Sequence, residues 1–296
     1  MHFKNSANLP SPLVRALTWR KQSYCDLSVT QLLKPPRILQ LEKRHDDRIE
    51  IDVIDNVWSF FGSAMHYVLE KLADKENALA EEKLFLEIDG LKIGGIPDWY
   101  YRAGDGKFVL ADLKTTSVWS MIFEPKGKHE WHKQTNIYAE MLRQHGFPVD
   151  RIEIWAILKD WKGSDKLKKP DYPKNSIAVI EIPLRPSEKV MSFIRERVRV
   201  HKAAVALGDI ELPYCTPDEM WYRPGKLAVM KPGSSKAVKL FDEHEMEKAS
   251  VFAETISGAW VEERNGIATR CESYCNVSRF CNQFQTELKK SEPRNV

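Results

Sequence analysis

No stretch of this sequence approaches the roughly eighteen consecutive apolar residues of a membrane-spanning helix. Met1-His2-Phe3-Lys4-Asn5-Ser6 also lacks the charged-then-apolar layout of a secretory signal. These absences argue against a membrane partner and lead us to expect a cytoplasmic protein, in the host cytoplasm if the chain is viral. Net charge is nearly absent too: 45 basic against 42 acidic side chains leave +3, so any polyanion site must come from local clustering. There is no internal repeat and no low-complexity tract, which excludes solenoid and fibrous classes. Cysteine is scarce and odd in number, five in 296 residues. In a reducing compartment such thiols are expected to be reduced or to bind metal rather than to pair. What is present is ordinary: 43% apolar and 29% charged residues suffice for a buried core and a solvated surface. The length fits two domains, or one large domain with an appendage.

Residues to about Pro12 show no periodicity and read as a loose arm. Ser28-Val29-Thr30-Gln31 has the S-x-x-Q form in which both side chains satisfy orphan amides at a helix start. Pro35-Pro36 ends that helix, and a second restarts at Pro36, with Ile38, Leu39 and Leu41, and later Ile49, Ile51 and Val53, as apolar contacts. Trp58, Phe61, Met65, Leu69 and Leu72 recur every three or four residues, the spacing of one buried helical face, and His66 rides beside it. From Lys83 the period becomes two. Leu84, Leu86 and Ile88 alternate with Lys83, Phe85 and Glu87, Asp89-Gly90 signals a hairpin turn, and strands over 91–101 and 108–114 complete a three-strand meander. A helix over 129–145, a strand over 151–158, an edge strand over 177–182 and a long helix over 187–207 follow. A further helix, from about 243 to 265, precedes the cysteine-rich end. The division expected is an arm over 1–27, a core over 28–207 and an extension over 208–296.

Chemistry is concentrated at Pro97-Asp98 and Asp112-Leu113-Lys114. Two carboxylates on adjacent antiparallel strands can face one point and suit a hard divalent cation such as Mg²⁺ or Mn²⁺. Lys114, two residues beyond Asp112, falls on the same strand face. A divalent ion there would acidify a water and shield a phosphodiester, and the lysine ammonium would orient the water and stabilise developing negative charge. Gln134 and Tyr138, four residues apart, share one face of the following helix.

These residues resemble the PD-(D/E)xK nuclease superfamily, whose signature Pro97-Asp98 and Asp112-x-Lys114 reproduce. Gly62-Ser63-Ala64-Met65-His66 matches the histidine-bearing helix of the RecB-like branch, and Gln134-Thr135-Asn136-Ile137-Tyr138 matches its Q-x-x-x-Y motif. The resemblance runs from about Ser28 to Cys281. It implies an α/β, restriction-endonuclease-like core with a central mixed sheet flanked by helices, plus a C-terminal helical extension clamped by cysteines. It also implies metal ligation by His66, Asp98, Asp112 and the Leu113 carbonyl. Lys114 would handle the attacking water, and Gln134 with Tyr138 would position the strand. An imidazole ligand leads us to expect that Mn²⁺ serves at least as well as Mg²⁺. Glu82, on the strand before the site, is a further candidate.

Cys271, Cys275 and Cys281 form a C-x3-C-x5-C cluster, which reads as a metal site needing a fourth ligand, with Cys215 and Cys25 as the candidates. In cluster-bearing RecB-like nucleases three C-terminal cysteines join a distant one around a [4Fe-4S] cluster. That distant cysteine sits near the N-terminus in a Cys-Pro-Arg context, whereas this chain has Lys34-Pro35-Pro36-Arg37 there. The pattern around Leu212-Pro213-Tyr214-Cys215 resembles phage-type members, so Cys215 is the expected fourth ligand and Cys25 is left over. Structural zinc is the alternative to iron–sulfur.

Nucleic acid would be met by three basic segments. Residues 159–174 carry six lysines against three aspartates, Lys159, Lys166, Lys168 and Lys169 among them. The helix over 187–207 carries Arg195, Arg197 and Arg199. Residues 223–240 carry five basic side chains and no acidic one, with Arg223 and Lys226 first. Trp161, Tyr172, Trp221 and Tyr222 are interleaved as stacking candidates. The expected activity is metal-dependent exonucleolytic hydrolysis of DNA in recombination, replication or repair, of a phage type. A single-strand-binding or recombination protein is the expected partner. A non-catalytic DNA-binding or assembly subunit on the same fold, or a restriction-like endonuclease, is the alternative.

Overall fold

The structure, a computed structural model, describes residues 1–19, 24–72, 78–167 and 170–288. In chain order the elements that matter for the site are β1 (Leu27–Ser28), α1 (Val29–Leu33), α2 (Pro36–Arg44), α3 (Val57–Leu72), β2 (Ala78–Ala80), β3 (Leu84–Ile88), β4 (Leu91–Gly95), β5 (Trp99–Arg102), β6 (Phe108–Thr116), α4 (His129–Gln144), β7 (Arg151–Leu158), β8 (Ile177–Ile182) and α5 (Ser187–Val205). After them come β9 (Lys226–Met230), β10 (Lys239–Asp242), α6 (Met246–Glu254) and β11 (Trp260–Arg264). The chain forms two compact units, one of residues 3–34 and 51–203, the other of residues 1–2, 35–50 and 204–296. The architecture is mixed α/β, with mixed sheets flanked by helices.

In the first unit a five-stranded sheet runs in the order β8-β7-β6-β5-β2. The β6–β7 pair is parallel and its other pairs antiparallel. Parallel neighbours require a crossover, and α4 supplies it. Val109, Leu110 and Ala111 of β6 and Ile152, Ile154 and Ala156 of β7 are all fully buried, as expected of central strands covered on both faces. α1 starts with the capping box read from the sequence: Gln31 N–H donates to Ser28 Oγ, and Ser28 N–H donates to Gln31 Oε1. Its last carbonyls are taken by α5, where Arg197 donates to the Leu32 and Lys34 oxygens at 2.9 and 2.7 Å.

Three expectations are corrected. The meander is broken, because β3 and β4 pair with β1 in a separate three-stranded sheet while β5 joins the five-stranded one. Ile96-Pro97-Asp98 carries the chain from one sheet to the other, and Pro97, having no amide hydrogen, could not continue the ladder. The face of α3 read as buried is not: α3 has no buried residue, and Trp58, Phe61 and Leu72 are 54%, 40% and 73% exposed. Periodic spacing shows that side chains share a face but not that anything covers it. The helix expected over 243–265 is α6 followed by β11, with Gly258 at φ +69° in the turn between them.

In the second unit β10-β9-β11 form a three-stranded antiparallel sheet packed on α6 around Leu227, Val229, Phe241, Ala249 and Ala253. The extension is therefore sheet and helix, not helix alone. α2 is buried from Pro36 to Leu41. Fully buried Arg37 donates to the carbonyl oxygens of Leu212 and Pro213 and to Asn282 Oδ1.

Close packing between β4 and α4 needs a glycine. A β-carbon at Gly95 would lie 2.5 Å from Met141 Sδ and 3.0 Å from the Tyr138 ring. Gly95→Ala should lower stability by about 1–3 kcal/mol, the usual range for an overpacked core. Thermal and urea unfolding against the parent protein measure this, and an unchanged midpoint would show that α4 can retreat without loss.

Candidate active site

The site is assembled where β5 meets β6. Trp99 pairs with Ala111, and the same register carried one residue further sets Asp98 opposite Asp112. Asp98 Oδ2 accepts the Leu113 N–H at 2.7 Å, which fixes one carboxylate to the backbone of β6. Its Oδ1 lies 3.3 Å from His66 Nδ1 on α3, and Glu81 Oε1 lies 3.3 Å from the same nitrogen. The ligand atoms of His66, Glu81 and Asp98 all lie within 4.8 Å of one another, the one such group of three or more among the described residues.

Glu81, not Glu82, is the second acid beside Asp98. Its backbone has φ +54°, a left-handed conformation unusual for glutamate, and its amide donates to the Pro97 carbonyl at 3.2 Å. Glu82 is exposed. Neither residue type nor spacing separates two adjacent glutamates; the backbone twist at Glu81 decides, and only the fold reveals it.

Asp112 is fully buried; its Oδ1 has no hydrogen-bond partner, and its Oδ2 is met by the Lys114 ammonium alone among the described residues. Lys114 Nζ lies 2.7 Å from Asp112 Oδ2 and donates to Gln134 Oε1 at 3.0 Å. Gln134 Nε2 in turn donates to the Tyr138 hydroxyl at 3.0 Å. The sequence-derived residues thus form a continuous polar file from Asp112 through Lys114 and Gln134 to Tyr138, with His66, Glu81 and Asp98 forming a second group. Leu113 lines the adjoining cavity of about 220 Å³ together with Trp58, Gly62, His66, Lys114 and Thr115.

The electrostatics suit a cation. Burial pushes the Asp112 carboxyl up to about 6 against the attraction of Lys114, and the charge of Asp98 adds to the rise. Burial disfavours a charged His66, yet Asp98 and Glu81 outweigh it and raise the imidazole to about 10. Burial also raises the Tyr138 hydroxyl, which therefore stays protonated. A buried carboxylate with one unsatisfied oxygen, beside a nitrogen and two further carboxylates, fits a hard divalent cation of the Mg²⁺ or Mn²⁺ type.

The basic segments are less uniform than their composition. Lys159 Nζ sits 4.1 Å over the Trp58 ring. Lys166 ends a short helix, Gly163–Lys166, and Lys168 and Lys169 lie outside the described residues. Tyr172 is buried and accepts the Lys162 N–H, and the Trp161 indole donates to the Pro173 carbonyl, so both serve the loop's own structure. Arg197 is committed to backbone carbonyls and Arg199 to Glu196. In the other unit Lys226 is ion-paired with Asp242, and Arg223 donates to Thr269 Oγ1.

That unit also holds the cysteines. Cys215, Cys271, Cys275 and Cys281 line one cavity with Arg37, and Gln283 ties the first to the last segment by donating to the Cys215 carbonyl and accepting its N–H, both at 2.9 Å. Burial, followed by the neighbouring Glu219 and the other three cysteines, pushes the Cys215 thiol up to about 12. Cys25 lies in the other unit, packed so closely on Gly94 that a β-carbon there would meet its sulfur at 2.6 Å.

A model of the PD-(D/E)XK nuclease superfamily matches residues 28–282, and the chain belongs to that superfamily. No curated protein matches it. Among solved structures, the crystal structure of SSO0001 matches at 17% identity with a TM-score of 0.44, over 64% of this chain and 82% of that one.

Cation binding should release protons. Because His66 holds its proton up to about pH 10 when no ion is present, Mn²⁺ affinity should rise with pH from about 6 to about 9 as that competition weakens. Below about pH 6, where Asp112 also protonates, affinity should fall more steeply. Calorimetric titration in buffers of different ionisation enthalpy reads the protons released; affinity independent of pH would remove His66 from the ligand set.

Proposed function

We propose that the protein is a divalent-metal-dependent DNA exonuclease of the RecB-like branch, phage-type, acting in recombination, replication or repair. The observation that carries this reading is the polar file Asp112–Lys114–Gln134–Tyr138 beside the His66, Glu81 and Asp98 cluster. Asp98, Asp112 and His66 would hold the cation, with Glu81 joining them and the Leu113 carbonyl as the further expected ligand. The ion would neutralise phosphate charge and make water a stronger nucleophile.

The chain's own groups do the rest. Lys114 keeps its ammonium at the mouth of the site because Asp112 and Gln134 hold it from two sides, so it can meet the negative charge that develops on a phosphodiester oxygen. Gln134 cannot swing away while Tyr138 accepts its amide hydrogen. Glu81 and Asp98 face His66 Nδ1 and orient the ring. A vestigial subunit that only bound DNA would have no use for a lysine held in this way, and that favours catalysis over the assembly-subunit reading.

For the second unit we infer a [4Fe-4S] cluster held by Cys215, Cys271, Cys275 and Cys281. A single zinc with Zn–S near ~2.3 Å would bring thiolates within roughly 3.8 Å of one another. Among the described residues no three cysteine sulfurs lie within 4.8 Å of one another, and the inference rests on the one cavity that all four cysteines line. Arg37, 3.9 Å from Cys281 Sγ, would add a positive charge beside the thiolates.

With Mn²⁺, purified protein should shorten end-labelled linear DNA and leave closed circles intact. Asp112→Ala should abolish this and Lys114→Ala should slow it by about a hundredfold or more. Cleavage surviving Asp112→Ala removes the catalytic assignment, and cut circles remove end dependence. Protein purified without oxygen should be brown, and Cys275→Ala should bleach it; colourless protein containing zinc would replace the cluster with a structural ion.

A further inference from the structure

The exposed face of α3 is not explained by catalysis or by packing. Trp58 and Phe61, three positions apart and so on one side of the helix, are 54% and 40% exposed. Aromatic surface on this scale is costly to leave in water unless something covers it. Its position says what kind of molecule. Trp58 forms one wall of the 220 Å³ cavity whose other walls carry His66 and Lys114, so whatever lies against the indole is within reach of the reacting group. Lys159 Nζ stands 4.1 Å over the same ring, and its backbone amide is anchored to the Thr116 carbonyl at the end of β6. Phe61 meets Trp58 edge-on, with ring centroids 6.3 Å apart and planes at 80°.

A half-exposed indole with a cation over one face, lining the cavity of the site, complements a nucleotide: the rest of its π-surface for the base, the ammonium for the phosphate. An apolar protein surface would leave the Lys159 ammonium and the polar cavity wall unmatched. Within a duplex the base faces are already stacked on one another, and only the terminal pair leaves one face open. An unpaired nucleotide, which can turn either face to the indole, fits such a platform best.

We propose that Trp58 is the stacking platform for an unpaired base entering the active site, with Lys159 held on its ring to meet the neighbouring phosphate, and that the substrate is consequently a single-stranded DNA end. This deepens the nuclease reading and rests on it. Trp58 acts as a specificity-determining residue, selecting the strand that reaches Lys114.

The test is binding without metal, which separates it from catalysis. Fluorescence anisotropy with labelled single-stranded and blunt duplex oligonucleotides in EDTA is compared for the full chain and its Trp58→Phe, Trp58→Leu and Trp58→Ala variants. Trp58→Ala and Trp58→Leu should weaken single-strand binding by about tenfold or more, within the range of one lost base stack, while Trp58→Phe retains most of it and duplex affinity is unmoved. An abasic nucleotide at the stacked position should weaken the parent protein equally and add nothing in Trp58→Leu. Single-strand affinity unchanged in Trp58→Leu, or an equal loss with duplex, overturns the proposal. Because no cleavage is involved, that outcome leaves the nuclease reading standing. The nuclease reading fails separately if Asp112→Ala still cuts.

Discussion

Asp112 is a carboxylate taken wholly out of water, with one oxygen unbonded and the other against a single ammonium. Such burial costs several kcal/mol for an isolated ion, and the neighbourhood is organised around offsetting it. The Lys114 ammonium lies against it, and Gln134 and Tyr138 prevent that lysine from turning toward solvent. The Tyr138 ring is packed against β4 at Gly95, where a β-carbon would press on it at 3.0 Å. A destabilised anion at the centre and a rigid frame around it are the two halves of a site prepared to receive positive charge.

Much of this could be read from residue order, and the reasons it could not all be read are physical. Asp98, Asp112, Lys114, Gln134 and Tyr138 were identifiable because strand period two and helix period four are local rules, and the structure joins the last four by contacts. Pro97 was read as part of a motif, but its second effect, ending β4 and transferring the chain to another sheet, depends on which strands pair at long range. Glu81 was hidden because a left-handed backbone at a glutamate has no composition signal. α3 misled for a related reason. An apolar stripe at helical spacing is the same whether a core or a ligand is to cover it.

Basic residues show the limit of counting charge. Arg197 satisfies the carbonyls at the end of α1, Arg199 is held by Glu196 and Lys226 by Asp242. Lys159, which stands over an aromatic ring, is distinguished by its neighbour and not by its segment's composition. The cysteines illustrate the opposite case. Three are grouped by spacing alone, and Cys215, 56 positions earlier, lines one cavity with them, whereas Cys25 belongs to the other unit.

Arg37 carries a consequence for how the protein is made. Its guanidinium lies inside the second unit, bonded to oxygens of Leu212, Pro213 and Asn282 that are 175, 176 and 245 positions further along the chain. During synthesis α2 leaves the ribosome long before any of those acceptors exist. Until residue 282 has emerged, a charged side chain flanked by Ile38, Leu39 and Leu41 lacks part of the interior it enters, whereas residues 3–34 and 51–203, the whole of the other unit, are already made. That unit can thus be complete while the cysteine-bearing one still waits for Asn282 and its neighbours, so that truncation before them would leave part of the apolar surface of α2 exposed.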